Sequence, residues 1–139
     1  MRVLQRFGVS LPKALLSRFD KLIRRRGYTN RSEAIRDLIR DRLVDEEWAN
    51  ADDEVVAAVS LVYNHETRDL ATKLDRVQHE RHGLIVSSMH VHLDPHNCLE
   101  TIVLRGRAGD LQEVADRLIS SRGVKHGRLF RTTIGKSIQ

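Results

Sequence analysis

Apolar and polar residues alternate through "RFGVSLP" (6–12), with Phe7, Val9 and Leu11 on one side and Arg6, Gly8 and Ser10 on the other. A period of two predicts a strand. The spacing changes at Pro12, which suits the first turn of a helix because its missing N–H costs nothing there. Leu15, Leu16, Phe19, Leu22 and Ile23 then recur at helical intervals. Arg24, Arg25 and Arg26 complement the end of that helix, and Gly27 can take a left-handed cap. A second helix opens at Asn30, whose side chain can cap while Glu33 completes a capping box. Its apolar stripe is Ile35, Leu38, Ile39 and Leu43. One strand and two short helices in about forty residues bury too little surface to fold alone, and the strand has two open edges. Two copies pairing their strands into a ribbon would answer both needs. Such a ribbon fits the DNA major groove and would present Arg6, Gly8 and Ser10 twice.

Further on, "EVVAAVSLVYN" (54–64) is apolar and β-branched, a buried strand. Leu70, Leu74 and Val77 form one stripe of "HETRDLATKLDRVQHERHG" (65–83), a helix stopped by Gly83. The strands "LIVSSMHVHL" (84–93) and "CLETIVLRG" (98–106) flank the turn formers of "DPHN". A second amphipathic helix covers 110–123, with Leu111, Val114, Leu118 and Ile119 inward, and 124–134 is the last strand. The order β-α-β-β-α-β is the ferredoxin-like arrangement, and in small regulatory proteins it resembles the self-associating ACT effector-binding domain. The fold class is therefore α+β in two parts. Residues 1–47 form the strand-helix-helix unit, 48–54 an acidic linker and 55–139 the ferredoxin-like domain.

Charge sharpens this division. The chain of 139 residues carries a net +5 with mean hydropathy −0.41. Arg and Lys crowd the first forty residues, while "VDEEWANADDE" (44–54) holds six acids and no base. A basic head suits a nucleic-acid partner. No run is long enough to span a bilayer and no signal peptide is evident, so the expected location is the cytoplasm. One cysteine excludes an intrachain disulfide and leaves a thiol for other chemistry.

That thiol stands in "MHVHLDPHNCLE" (89–100). Strand parity puts His90 and His92 together, pointing away from Met89, Val91 and Leu93, which are expected to face the core. The turn returns Cys98 towards the same edge. Two imidazoles and a thiolate suit a borderline divalent ion. A fourth donor must come from elsewhere: His65, His79, His82, His96 and His126 are the candidates. Glu100, on the face of Cys98, is a candidate hydrogen-bond partner orienting a histidine ligand. Ligand protonation predicts that affinity falls as pH drops through roughly 6.5, the ordinary histidine value. "HVHLDPH" nearly reproduces an H-x-H-x-D-H hydrolase signature, but Pro95 breaks it. A filled four-donor site also leaves no open position for hydrolysis. An enzyme is not expected.

"RFGVSLPKALLSRFDKLIRRRGYTNRSEAIRDLI" resembles the ribbon-helix-helix DNA-binding repressors, and "RRGYTNRSEAIRDLI" with the H-x-H…C spacing resembles the nickel-responsive regulators (NikR) among them. The resemblance implies base contacts from Arg6, Gly8 and Ser10, although relatives commonly carry a polar side chain in place of Gly8. It implies phosphate contacts from Asn30, Arg31 and Ser32 at the start of the second helix. It selects His79 as the fourth ligand by its register with "QHERHG", contributed by a neighbouring subunit. The implied cofactor is one square-planar Ni(II) per subunit, held by His79, His90, His92 and Cys98. Glu33 and Asp37 resemble the family's secondary hard-cation site. The implied assembly is a homotetramer, a dimer of dimers, on a pseudo-palindromic double-stranded operator, repressing genes of metal uptake. The alternative is the same repressor sensing copper, cobalt or zinc, or an amino acid through its ACT-like domain.

Overall fold

The computed structural model describes residues 2–139 of the chain; Met1, the first residue of the expected N-terminal domain, lies outside them. The chain forms two compact units, residues 1–41 and 42–139.

In the first unit, helix α1 (Lys13–Arg25) follows Pro12, whose φ of −56° is already helical and whose carbonyl accepts from the Leu16 N–H. The chain turns at Gly27, where φ is +89°, and Asn30 Oδ1 accepts the Glu33 N–H at 2.9 Å to open α2 (Arg31–Ala49). The turn residues behave as their chemistry requires. Residues 6–12 depart from expectation: they form no strand. A strand exists through its ladder, and a single chain offers this segment no partner. The unit buries only Ile23 and Ala34, while Phe7, Val9, Leu15, Leu38 and Ile39 stay at least half exposed. Its apolar faces lack a cover within one chain.

The acidic stretch also differs. Residues 48–54 were expected as a linker, yet α2 continues to Ala49, and Trp48 packs against the core of the second unit. The indole Nε1–H donates to the Thr132 carbonyl at 2.9 Å, and the Arg131 guanidinium lies 5.4 Å from the ring centroid. An aromatic with that much area to bury outweighs the linker-like charge of its neighbours.

The second unit is a four-stranded sheet in the order β2-β3-β1-β4, with β1 (Glu54–Asn64), β2 (Ile85–His92), β3 (Asn97–Arg107) and β4 (Val124–Thr132). Every adjacent pair is antiparallel. Helices α3 (Leu70–Glu80) and α4 (Ala108–Ile119) cover one face. Strand β1 alternates accordingly: Val55, Ala57, Val59, Leu61 and Tyr63 are buried beneath the helices. With Ile102, Leu104, Leu74, Leu111 and Leu118 they make the core. Leu61→Ala would leave a void at its centre and is expected to lower unfolding free energy by about 2–5 kcal/mol, measured by urea denaturation.

Candidate metal centre

The hairpin register decides which residues meet. His92 pairs with Cys98 and His90 with Glu100, so all four side chains lie on one face. That face is the helix side, the reverse of the expectation. Met89 and Leu93, expected in the core, are more than half exposed on the open face, and Val91 is exposed beside them. Two causes combine. A bulge between Ile85 and Ser87 shifts parity, so Ile85 pairs with buried Leu104 while Ser88, His90 and His92 join it on the same side. In addition β2 is an edge strand, and its row of apolar residues belongs to a sheet face with no helix over it.

The His90 and His92 rings lie 5.5 Å apart between centroids. Cys98 is fully buried beside them, and its Sγ–H donates to the Tyr63 carbonyl at 3.4 Å. Burial pushes the thiol pKa up, and the nearby Glu100 adds to the rise. The metal-free site therefore holds a thiol, which must lose its proton to become a ligand.

Glu100 is only 4% exposed and sits at the centre of a polar network. Tyr63 Oη donates to it at 2.7 Å, Gln78 Nε2 at 2.8 Å and Ser88 Oγ at 3.4 Å. His90 Nδ1 stands 4.0 Å from the same carboxyl. Burial, then the bond to Glu100, raises the Tyr63 phenol far above its ordinary value, so it remains a donor. Sequence reasoning found Glu100 but missed Tyr63 and Gln78. Their signals were present: Tyr63 follows the inward parity of β1, and Gln78 lies four residues beyond buried Leu74.

His79 does not join this group. Gln78 turns inward to Glu100, and the next residue on a helix points about 100° away. His79 is accordingly exposed, with its ring 6.3 Å from that of His82. Among the described residues, no three His, Cys, Asp or Glu side chains are placed to hold an ion within one chain. The donor chemistry of His90, His92 and Cys98 nevertheless fits a borderline metal, once a further donor is added from outside. His65, at the end of β1, packs its ring 5.2 Å from His92 and carries a buried Nδ1 with no hydrogen-bond partner.

The other candidates have local partners. His96 Nδ1 lies 3.1 Å from Glu66, and Asp94 accepts the His96 and Asn97 N–H groups. These bonds, chiefly those from Asn97, pull the Asp94 carboxyl down to about 2, which marks it as a turn builder and not a hydrolytic ligand. Asp37 accepts from Tyr28 Oη at 2.5 Å and from Arg40 at 3.3 Å, while Glu33 is exposed. Arg31 grips both oxygens of Asp20 at 2.9 Å. Asn30 uses its side chain as the helix cap, and Ser32 is exposed. Arg6, Gly8 and Ser10 are exposed.

Comparison with known proteins covers both units. Residues 5–46 match the ribbon-helix-helix protein, copG family, and residues 56–132 match the NikR C-terminal nickel-binding domain. A Pyrococcus furiosus protein named "Putative nickel-responsive regulator" is 56% identical over 133 residues, covering 96% of each chain. Proteins of the same name from Geotalea uraniireducens and Solibacter usitatus are each 54% identical, covering 96% and 100% of both chains in turn. An uncharacterized protein of Thermotoga maritima, 10% identical, shares the fold alone, with a TM-score of 0.51 over 56% of this chain and 96% of that one. An α+β chain with two helices in its basic head and a histidine-cysteine hairpin in its second unit is thus matched in both parts: it belongs to the family of nickel-responsive ribbon-helix-helix regulators (NikR), which are regulators and not enzymes.

Proposed function

We propose that this chain is a nickel-dependent, sequence-specific repressor of genes for metal uptake, acting in the cytoplasm. The observation that carries this reading is the hairpin register, which sets His90, His92 and Cys98 on one face of paired strands while His79 faces outward. The three candidate donors share one face, and exposed His79 is left free to meet a second chain. Ni(II), one per subunit, would supply a centre joining the three to His79 of a second chain. Nitrogen and thiolate donors of this kind would suit nickel.

Each part of the chain then has a task. Glu100, fixed by Tyr63 and Gln78, orients His90 from behind. The uncovered apolar residues of the head are met by a second copy, whose residues 6–12 pair into a ribbon. Arg6, Gly8 and Ser10 read bases from that ribbon, and the start of α2 at Asn30, Arg31 and Ser32 meets phosphate. Arg31 must leave Asp20 or share its guanidinium to do so. The open sheet face with Met89, Val91, Leu93 and Phe130 provides apolar area for joining dimers into a tetramer. Metal binding across subunits favours the arrangement in which both heads meet one pseudo-palindromic operator. The domain limits 1–47, 48–54 and 55–139 stand in this reading as functional divisions, with Trp48 tying the connector to the sensor. Glu33 and Asp37 are kept as a weak secondary cation site, for which Tyr28 and Arg40 compete.

A gel shift on operator DNA tests the reading, run with Ni(II), Cu(II), Co(II), Zn(II) and no metal. Nickel should tighten the wild-type complex and leave Cys98→Ala unchanged. Equal affinity with and without nickel would sink the proposal. A larger response to another metal at matched free concentration would reassign the physiological ion.

A further inference from the structure

A concavity of about 590 Å³ opens where the loop after β1, the start of α3 and the turn from α4 to β4 meet. Four cationic side chains line it: Arg68, Lys73, Arg76 and Arg122. The single carboxylate in its wall is Asp69, whose Oδ2 lies 3.7 Å from Arg68 Nε, both groups being almost fully in solvent. Lys73, Arg76 and Arg122 have no carboxylate within ion-pair distance among the described residues. Arg81 is paired with Asp110 and Glu113, Arg105 with Glu54 and Arg117 with Glu80. The charge around the hollow is thus three cations outside any ion pair and one exposed Arg68–Asp69 pair.

The backbone adds to the same charge. Asp69 precedes α3 with φ at +62°, and its side chain makes no cap bond; the Leu70 N–H donates to the Thr67 carbonyl at 3.2 Å, while the N–H groups of Ala71 and Thr72 lack a side-chain cap. A helix start of this kind favours an anion. Gly123 closes the opposite wall, where a Cβ would come within 3.1 Å of Thr67 and Leu70 and narrow the hollow. The volume lies in the range of small-molecule sites, roughly 300–1,000 Å³.

We propose that this hollow binds a free oligophosphate anion through Lys73, Arg76, Arg122 and the first turn of α3. Several cations spread around the wall suit a ligand with several linked phosphates better than a single one, since each phosphate meets its own partner. Bound there, the anion holds the N-terminal end of the helix that carries His79. The binding itself does not depend on the nickel reading.

Tripolyphosphate titrated into the metal-free full chain tests the proposal, followed by amide NMR and calorimetry. Shifts at Ala71, Thr72 and Gly123 are expected. A Lys73→Gln/Arg122→Gln variant, altered only at exposed positions, should bind at least about tenfold more weakly. Inorganic phosphate, offering one group, should bind more weakly than tripolyphosphate. Shifts confined to residues 6–31 would overturn the proposal, because the basic head would then be the only binder. So would unchanged affinity in the double variant. If the variant loses affinity for operator DNA while neither protein shows tripolyphosphate shifts in α3, the hollow meets DNA backbone and the free-anion site is refuted.

Discussion

Mixed oligomers of Cys98→Ser and His79→Ala protomers should regain nickel sites that neither variant has alone. In the proposed site each substitution would remove a ligand, and each homogeneous variant should bind nickel more than about 100-fold more weakly than wild type, beyond the usual loss from an outer-sphere change. In a mixture, the hairpin of a His79→Ala chain is intact and so is the α3 of a Cys98→Ser chain. Where the two meet across an interface, one complete donor set forms. Random mixing predicts recovery of roughly a quarter of the wild-type sites. The geometry motivating this is the pair Gln78 and His79: the first reaches Glu100 of its own chain, which aims the second outward. The mixed sample is prepared by refolding the chains together, and tight sites are counted by equilibrium dialysis with a thiolate-to-nickel absorption band as the signature. No recovery, with wild-type sites still forming under the same refolding, would show that His79 serves its own chain or is no ligand.

Nickel affinity should also climb steeply with pH above neutrality. The cause is Cys98, whose thiol pKa burial raises above its ordinary value. The sign follows from proton competition. The free protein holds the proton throughout the neutral range, whereas the ligand form is the thiolate. Each metal ion bound therefore releases that proton. Affinity rises by about a decade per pH unit until pH passes the raised thiol pKa, then levels off. Calorimetry in buffers of different ionisation enthalpy counts the protons released. A profile flat from roughly pH 7 to pH 9 would mean that the thiol is not a ligand or is already ionised.

Much of this organisation was legible in the chain because it rests on local chemistry. Strand β1 occupies the residues that its β-branched run marks, and "DPHN" forms the turn its Asp and Asn require. The head's helices start and stop at Pro12, Gly27 and Asn30. Boundaries slipped where side chains compete with backbone. The helix read from residue 65 starts at Leu70, because Asn64 first folds 64–67 into a turn by accepting the Glu66 and Thr67 N–H groups. The helix expected over 110–123 runs from Ala108 to Ile119, stopping short of the turn into β4.

What could not be read locally was which side of β2 the helices cover. Parity places His90 with His92 but cannot name the side, and the bulge at Ile85–Ser87 reverses the apolar cue at the start of the strand. The strand expected at residues 6–12 is equally beyond a single chain, which offers that segment no partner to pair with. At the site, the spacing of His90, His92 and Cys98 was visible, while the buried support from Tyr63 and Gln78 depends on tertiary register. His65 was visible only as one histidine among several; its contact with His92 arises from the loop closing back on the hairpin, where its N–H donates to the His96 carbonyl.

Two neighbouring residues on α3 answer to different masters. Gln78 is tied to the carboxyl at the heart of its own chain's strand pair, and His79 is left facing out from the same turn of helix. A helix fixed from within cannot offer an outward side chain independently of what fixes it. If His79 completes the proposed site of a second chain, that site reports on two strand pairs at once, the one supplying the other donors and the one behind the helix. Occupancy at one place would then become information at the next, carried by a single peptide unit.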